Sequence, residues 1–154
     1  MDLLKKEHQQ QFNTSACVPA CISMVFSMYG VSVSQQDLIA HLGTHADGTD
    51  LDVFERISFE QFSFRHEVAF GSSVEALFET IKRGAPVICI IVSSYLPHSQ
   101  EDRLHAVLVV GLDDEYVYLN DPLLAGEGIV QMERTTFLKA WEWSDSFRLT
   151  FSPL

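Results

Sequence analysis

From Cys17 onward, apolar residues recur at steps of three and four. Val18, Cys21, Ile22, Val25, Met28 and Tyr29 form one stripe, the period of a buried helix. Ser15 is the expected N-cap and Gly30 the expected residue beyond the last turn. In VSVSQQDLIAHLG, Ser34 caps and Gly43 ends a short second helix. The following THADGTD lacks the spaced oxygen ligands and closing glutamate of a calcium loop and reads as a solvated connection. A third helix is expected over Asp50 to Phe62. In SFRHEVAF, Phe64, His66, Val68 and Phe70 alternate with Arg65 and Glu67, which predicts a strand in which His66 carries no chemistry. Ser72 and Glu75 have capping-box spacing and open a helix through Leu77, Phe78 and Ile81 to Gly84.

Beyond Gly84 the pattern changes. Segments become short, rich in β-branched residues and bounded by turns: Pro86 to Val92, His105 to Leu112, Tyr116 to Asn120, Gly128 to Met132 and Phe147 to Phe151. One further helix, Thr135 to Trp143, precedes the last strand. Helices first and sheet later predict an α+β fold, a helical N-terminal half packed on a C-terminal antiparallel sheet. With 154 residues, 47% of them apolar, the chain suits one domain spanning 1–154.

The net charge of −11 disfavours nucleic acid and anionic membrane surfaces as partners. MDLLKKEHQQQF has no apolar run to act as a signal peptide, and Pro86 to Val92 is too short to span a bilayer. These features predict a soluble, cytoplasmic protein. Three cysteines, Cys17, Cys21 and Cys89, form no disulfide framework. No C-x2-C or H-E-x-x-H spacing calls for a metal, and no cofactor is expected. Cys21, one turn after Cys17, reads as a core residue, with a resolving thiol as the alternative.

Cys17 falls in the first turn of its helix, where unpaired N–H groups and the helix dipole favour the thiolate, the species that attacks carbonyl carbon. Such a nucleophile needs a base, and the base needs a carboxylate or amide to orient it. HAVLVVGLDDEYVYLNDP supplies a hairpin with His105 opening one strand and Asp121 ending the next. A two-residue turn, Asp113 and Asp114, would face Asp121 away from His105. A three-residue turn, Asp113 to Glu115, would set Asp121 opposite Val107 and diagonal to His105 on one face. An odd-length loop or a bulge is therefore required, and it gives Val117, Leu119 and Asp121 an inward face while Tyr116, Tyr118 and Asn120 turn away. Gln11, six residues before Cys17, can fold back to offer an amide to a developing oxyanion.

Together, Q-x5-C, CVPACISMVFSMYG and HAVLVVGLDDEYVYLNDP resemble the papain-like cysteine peptidases of the bacteriocin-processing type, which cleave leader peptides after a double-glycine motif. The resemblance spans nearly the whole chain. It implies a papain-like fold, with Cys17 as nucleophile, His105 as general base and acid, Asp121 orienting the histidine and Gln11 as oxyanion donor. It also implies a peptide or protein substrate, with a Gly-Gly-type cleavage site. Many members have glycine after the cysteine; here Val18 is expected either to narrow the site or to alter how the backbone donor is presented. Ser93 to Arg103 is expected to border the cleft and set specificity. Within it, His98 reads as a solvated loop histidine, with a second titrating group as the alternative. Two other outcomes use the same residues: acyl transfer to an acceptor other than water, as in a transpeptidase, deamidase or amidase, and a module that holds a peptide uncut.

Overall fold

The structure, a computed structural model, describes Leu4 and residues 8–126 and 128–154. Residues 1–3 and 5–7 of the segment read for a signal peptide lie outside the described residues. Strands β1 (Phe64–Ala69), β2 (Val87–Val92), β3 (Leu104–Leu112), β4 (Tyr116–Asn120), β5 (Ile129–Glu133) and β6 (Arg148–Pro153) form one sheet in the order β1-β6-β2-β3-β4-β5. Every pairing is antiparallel. Helices α1 (Cys17–Met28), α2 (Gln35–Leu42), α3 (Val74–Lys82) and α4 (Arg134–Glu142) complete the α+β fold.

Alternation along β2 and β3 sends side chains into two cores. Ile88, Ile90, Ala106, Leu108 and Val110 pack with Cys21, Ile22 and Val25 of α1 and Leu38 of α2. Cys89, Ile91, Val107 and Val109 pack with Leu77 and Ile81 of α3 and Phe137 and Trp141 of α4. Every residue of VICIIV in β2 is buried, because a strand covered on both faces has no solvent side to keep polar. The helices therefore divide between the two faces, and β1 carries part of the helical half into the sheet beside β6.

Three local expectations change. Asp50 to Phe62 is two 3-10 turns, Leu51–Glu55 and Glu60–Phe62, rather than one helix. The carbonyls of Phe54 and Ser58 accept from the rings of His66 and His41 at 2.8 and 2.7 Å, so they do not take the i+4 N–H groups a helix would give them. The cap of α3 is Ser73, whose Oγ accepts the Ala76 N–H at 3.1 Å; Ser72 instead donates its N–H to Ser146. Helix α1 starts after Ala16 with no side-chain cap, since the Ser15 hydroxyl donates to Asn13 Oδ1 at 3.0 Å. Ser34 and Gly43 cap α2 as expected, Gly43 at φ 70°.

Phe26 fixes α1 to the sheet. Its fully buried ring stacks on Phe64 of β1 at 4.1 Å and meets Phe151 of β6 edge-on at 5.1 Å. Phe26→Ala is expected to lower stability by about 3–5 kcal/mol in urea denaturation. A loss below about 1 kcal/mol would show that this ring does not anchor the helix.

Candidate active site

The β3–β4 hairpin closes through a two-residue turn, Asp114 and Glu115, with the Asp113 N–H on the Tyr116 carbonyl at 2.9 Å. Such a turn by itself gives the unproductive parity. A bulge corrects it. Gly111 pairs with Tyr118 and Leu112 with Val117, but beyond Val110 the register slips by one, so Val109 pairs with Leu119 and Leu108 with Asn120. Continued by one residue, this register sets Asp121 opposite Val107, on the diagonal to His105. His105 Nε2 lies 2.7 Å from Asp121 Oδ1. Val117 and Leu119 pack inward against α3 and α4. The opposite face is covered too: Tyr118 packs toward the α1 core and Asn120 is fully buried.

An ionised carboxylate only accepts hydrogen bonds, so His105 Nε2 carries the proton and Nδ1 is left for Cys17. Burial pushes the His105 imidazolium down, but the hydrogen bond to Asp121 and the bond and charge of Cys17 outweigh it and raise the group to about 9. Burial pushes the Asp121 carboxyl up, yet His105, the Leu123 N–H on Oδ1 at 2.9 Å and His98 hold it below its usual range. At Cys17 burial again works upward. The hydrogen bond and charge of His105, with the N–H groups of Ala106 and Val18, hold the thiol below its ordinary value. The missing side-chain cap on α1 leaves first-turn N–H groups free for this sulfur. Cys21 and Cys89 are fully buried, and burial drives both thiols up.

Gln11 lies on a strap stitched to the Asp121 corner. Its N–H donates to Pro122 O at 2.7 Å, and the ring of His8 meets Asn120 Oδ1 and Leu124 O. The strap passes so close to Gly128 (φ 66°) that a Cβ there would collide with the His8 ring. The Gln11 amide donates to Asn13 O at 2.8 Å, and its Oε1 is buried without a partner. One cavity of about 380 Å³ is lined by Gln11, Cys17, His98, His105, Arg103 and Leu123, among others. The Ser93 to Arg103 segment does border it. A smaller cavity of about 130 Å³ on Cys17 and His105 is walled by Asp47, Gly48 and Thr49, so THADGTD forms a wall of the site as well as a connection.

His98 is an exposed loop residue as expected, but its side chain is drawn in: it is only 23% exposed and its Nε2 lies 2.5 Å from Asp121 Oδ2. No local pattern in the sequence marks this contact, which joins residues 23 apart across a loop. Among the described residues no group of three or more His, Cys, Asp or Glu side chains is arranged to hold a metal ion. No helix among them is long and apolar enough to cross a membrane.

The sequence pattern of the Peptidase_C39 like family matches residues 3–146. The uncharacterized protein YvpB of Bacillus subtilis strain 168 is 28% identical over 147 residues, which cover 84% of this chain and 57% of YvpB. The chain thus spans little more than half of that relative. A double glycine motif protease from an AMS/PCAT transporter, solved in complex with the leader peptide, superposes with a TM-score of 0.71 at 20% identity, covering 99% of this chain and 94% of that one. The cysteine protease CMS1MS2 of Carica candamarcensis superposes with a TM-score of 0.65 at 13% identity, covering 95% and 92%. These likenesses give the fold as papain-like.

Two outcomes follow from the electrostatics. Iodoacetamide is expected to label Cys17 well below pH 8.5, with Cys21 and Cys89 unlabelled in the folded protein; labelling of Cys17 only near that value would mean an ordinary thiol. Asp121→Asn removes the carboxylate that raises His105, so the His105 midpoint, followed by NMR of its ring protons, is expected to fall from about 9 toward the ordinary 6.5 or so. A midpoint that stays put would assign the shift to another cause.

Proposed function

Because the chain belongs to the Peptidase_C39-like family, we propose that it is a cysteine endopeptidase that cleaves a peptide or leader-peptide bond through a thioester acyl-enzyme. The observation that supports this best is that Cys17, at the start of α1, and His105 line the same cavities, with His105 Nε2 held 2.7 Å from the Oδ1 of buried Asp121. In this reading the Cys17 thiolate attacks the scissile carbonyl carbon. The charge that moves onto oxygen is met by the Gln11 amide and the Cys17 N–H. His105 gives its proton to the departing amine as the C–N bond breaks, leaving the acyl group on sulfur. Water then attacks the thioester, His105 takes one of its protons and keeps it, and as the carbon–sulfur bond breaks the thiolate leaves and the acid departs, restoring the thiolate–imidazolium pair.

The substrate reading is a peptide with a Gly-Gly-type site, met in the cytoplasm by a single catalytic domain. Its support is the neighbouring protease bound to a leader peptide and the narrow ground beside Cys17, where Val18 is 4% exposed and the smaller cavity holds about 130 Å³.

Cleavage of a peptide library containing Gly-Gly sequences, read by mass spectrometry, tests the proposal. Cys17→Ala is expected to abolish products. Gln11→Ala is expected to lower kcat by about a hundredfold or more, and Asp121→Ala to cost less than loss of Cys17. Products that carry an added amine in place of water would make the enzyme an acyl transferase. Intact peptide retained by an unreactive Cys17 would make it a binding module.

A further inference from the structure

Asp121 is fully buried and both of its oxygens are occupied: Oδ1 by His105 Nε2 and the Leu123 N–H, Oδ2 by His98 Nε2. The loop that brings His98 there is pinned at its base. Ser93, 1% exposed, donates its Oγ to Glu101 O at 2.8 Å and accepts the Arg103 N–H at 3.2 Å, while its own N–H meets Arg103 O at 2.8 Å. Leu96, 2% exposed, seats the segment between them in the α3–α4 core. His98 is thus held against the carboxylate by a built loop.

We infer that His98 is a positioning residue for the proposed peptidase site: its Nε2–H holds the second oxygen of Asp121 and takes a share of the carboxylate charge that would otherwise act on His105 alone. This rests on the peptidase reading above. The carboxylate can only accept, so both rings must offer it an N–H, and an unpaired buried oxygen would be costly. The groups facing His98 are Asp121 from the end of β4, His105 from β3, Cys17 from α1 across the shared cavity, and Glu101 and Arg103 from its own loop. Only Asp121 among these touches it with a side-chain hydrogen bond.

The consequence concerns proton release. An imidazolium that holds its proton up to about 9 is a reluctant acid for a departing amine. A second donor on the carboxylate loosens that hold by drawing charge toward Oδ2. Without it Asp121 acts on His105 alone, and the proton is gripped harder.

The test is the His105 midpoint, read by NMR of the histidine-labelled protein with His105→Ala to identify its signals. His98→Leu, which keeps bulk but donates nothing, is expected to raise the midpoint by about one pH unit. His98→Gln, which restores a neutral N–H, is expected to bring it back close to the unsubstituted value. In the unsubstituted protein at neutral pH, nitrogen shifts should show His98 protonated at Nε2; this arm needs no variant to fold. An unmoved or lowered midpoint in His98→Leu, no rescue by glutamine, or a His98 protonated at Nδ1 alone would each overturn the inference. A His105 midpoint near the ordinary value before any substitution would instead remove the ion pair, and with it the peptidase reading. A raised midpoint indifferent to His98 would remove only the role of His98.

Discussion

The register between β3 and β4 is the constraint on which the site depends. Side chains on a strand alternate faces, so one residue of slip would turn Asp121 away from His105 and leave a charged carboxylate buried without its imidazole. The tight turn at Asp114–Glu115 would by itself produce that error. The bulge at Val110 absorbs the extra residue and restores the productive face. Its position matters as well as its presence: it lies on the turn side of Val109, so the pairs nearest the site, Leu108–Asn120 and Val109–Leu119, share one unbroken register.

Much of this was legible from residues alone. The α1 stripe, its cysteine in the first turn and the His105–Asp121 hairpin are marked by local periodicity and spacing, and the need for an odd loop or a bulge follows from pleat geometry. The choice between them rests on Gly111, a lone glycine inside the strand beside Val110, which is a pointer to a bulge but not proof of one. Other misses share a cause. Asp50 to Phe62 has helix-like composition, but histidines from α2 and β1 claim its carbonyls. Ser15 looks like a cap until Asn13 takes its hydroxyl. His98 stands in a polar loop, and only the anchoring of that loop at Ser93 aims it at Asp121. In each case a partner distant in sequence outweighs a local preference.

Charge balance explains the backbone around the site. With Cys17 as thiolate, His105 as imidazolium and Asp121 as carboxylate, the trio carries one net negative charge in a protein whose overall charge is already −11. A buried excess charge needs fixed donors. They come from the main chain: the N–H groups of Val18 and Ala106 toward sulfur, and that of Leu123 toward Asp121. Because these dipoles belong to a helix start, a strand and a turn, they do not reorganise when charge moves from sulfur to oxygen and back.

Strand order bears on how the molecule is made. β6, the sixth strand along the chain, lies second in the sheet, between β1 and β2, and α1 is fastened through Phe26 to both β1 and β6. The helix that bears the cysteine packs mainly on α2 and β3, and gains its edge-on contact with Phe151 only once β6 has inserted between β1 and β2. Closing so long a loop is entropically expensive and comes late. The fastening of α1 at Phe151 is thus among the last contacts the chain can make, because its partner strand is the sixth along the sequence.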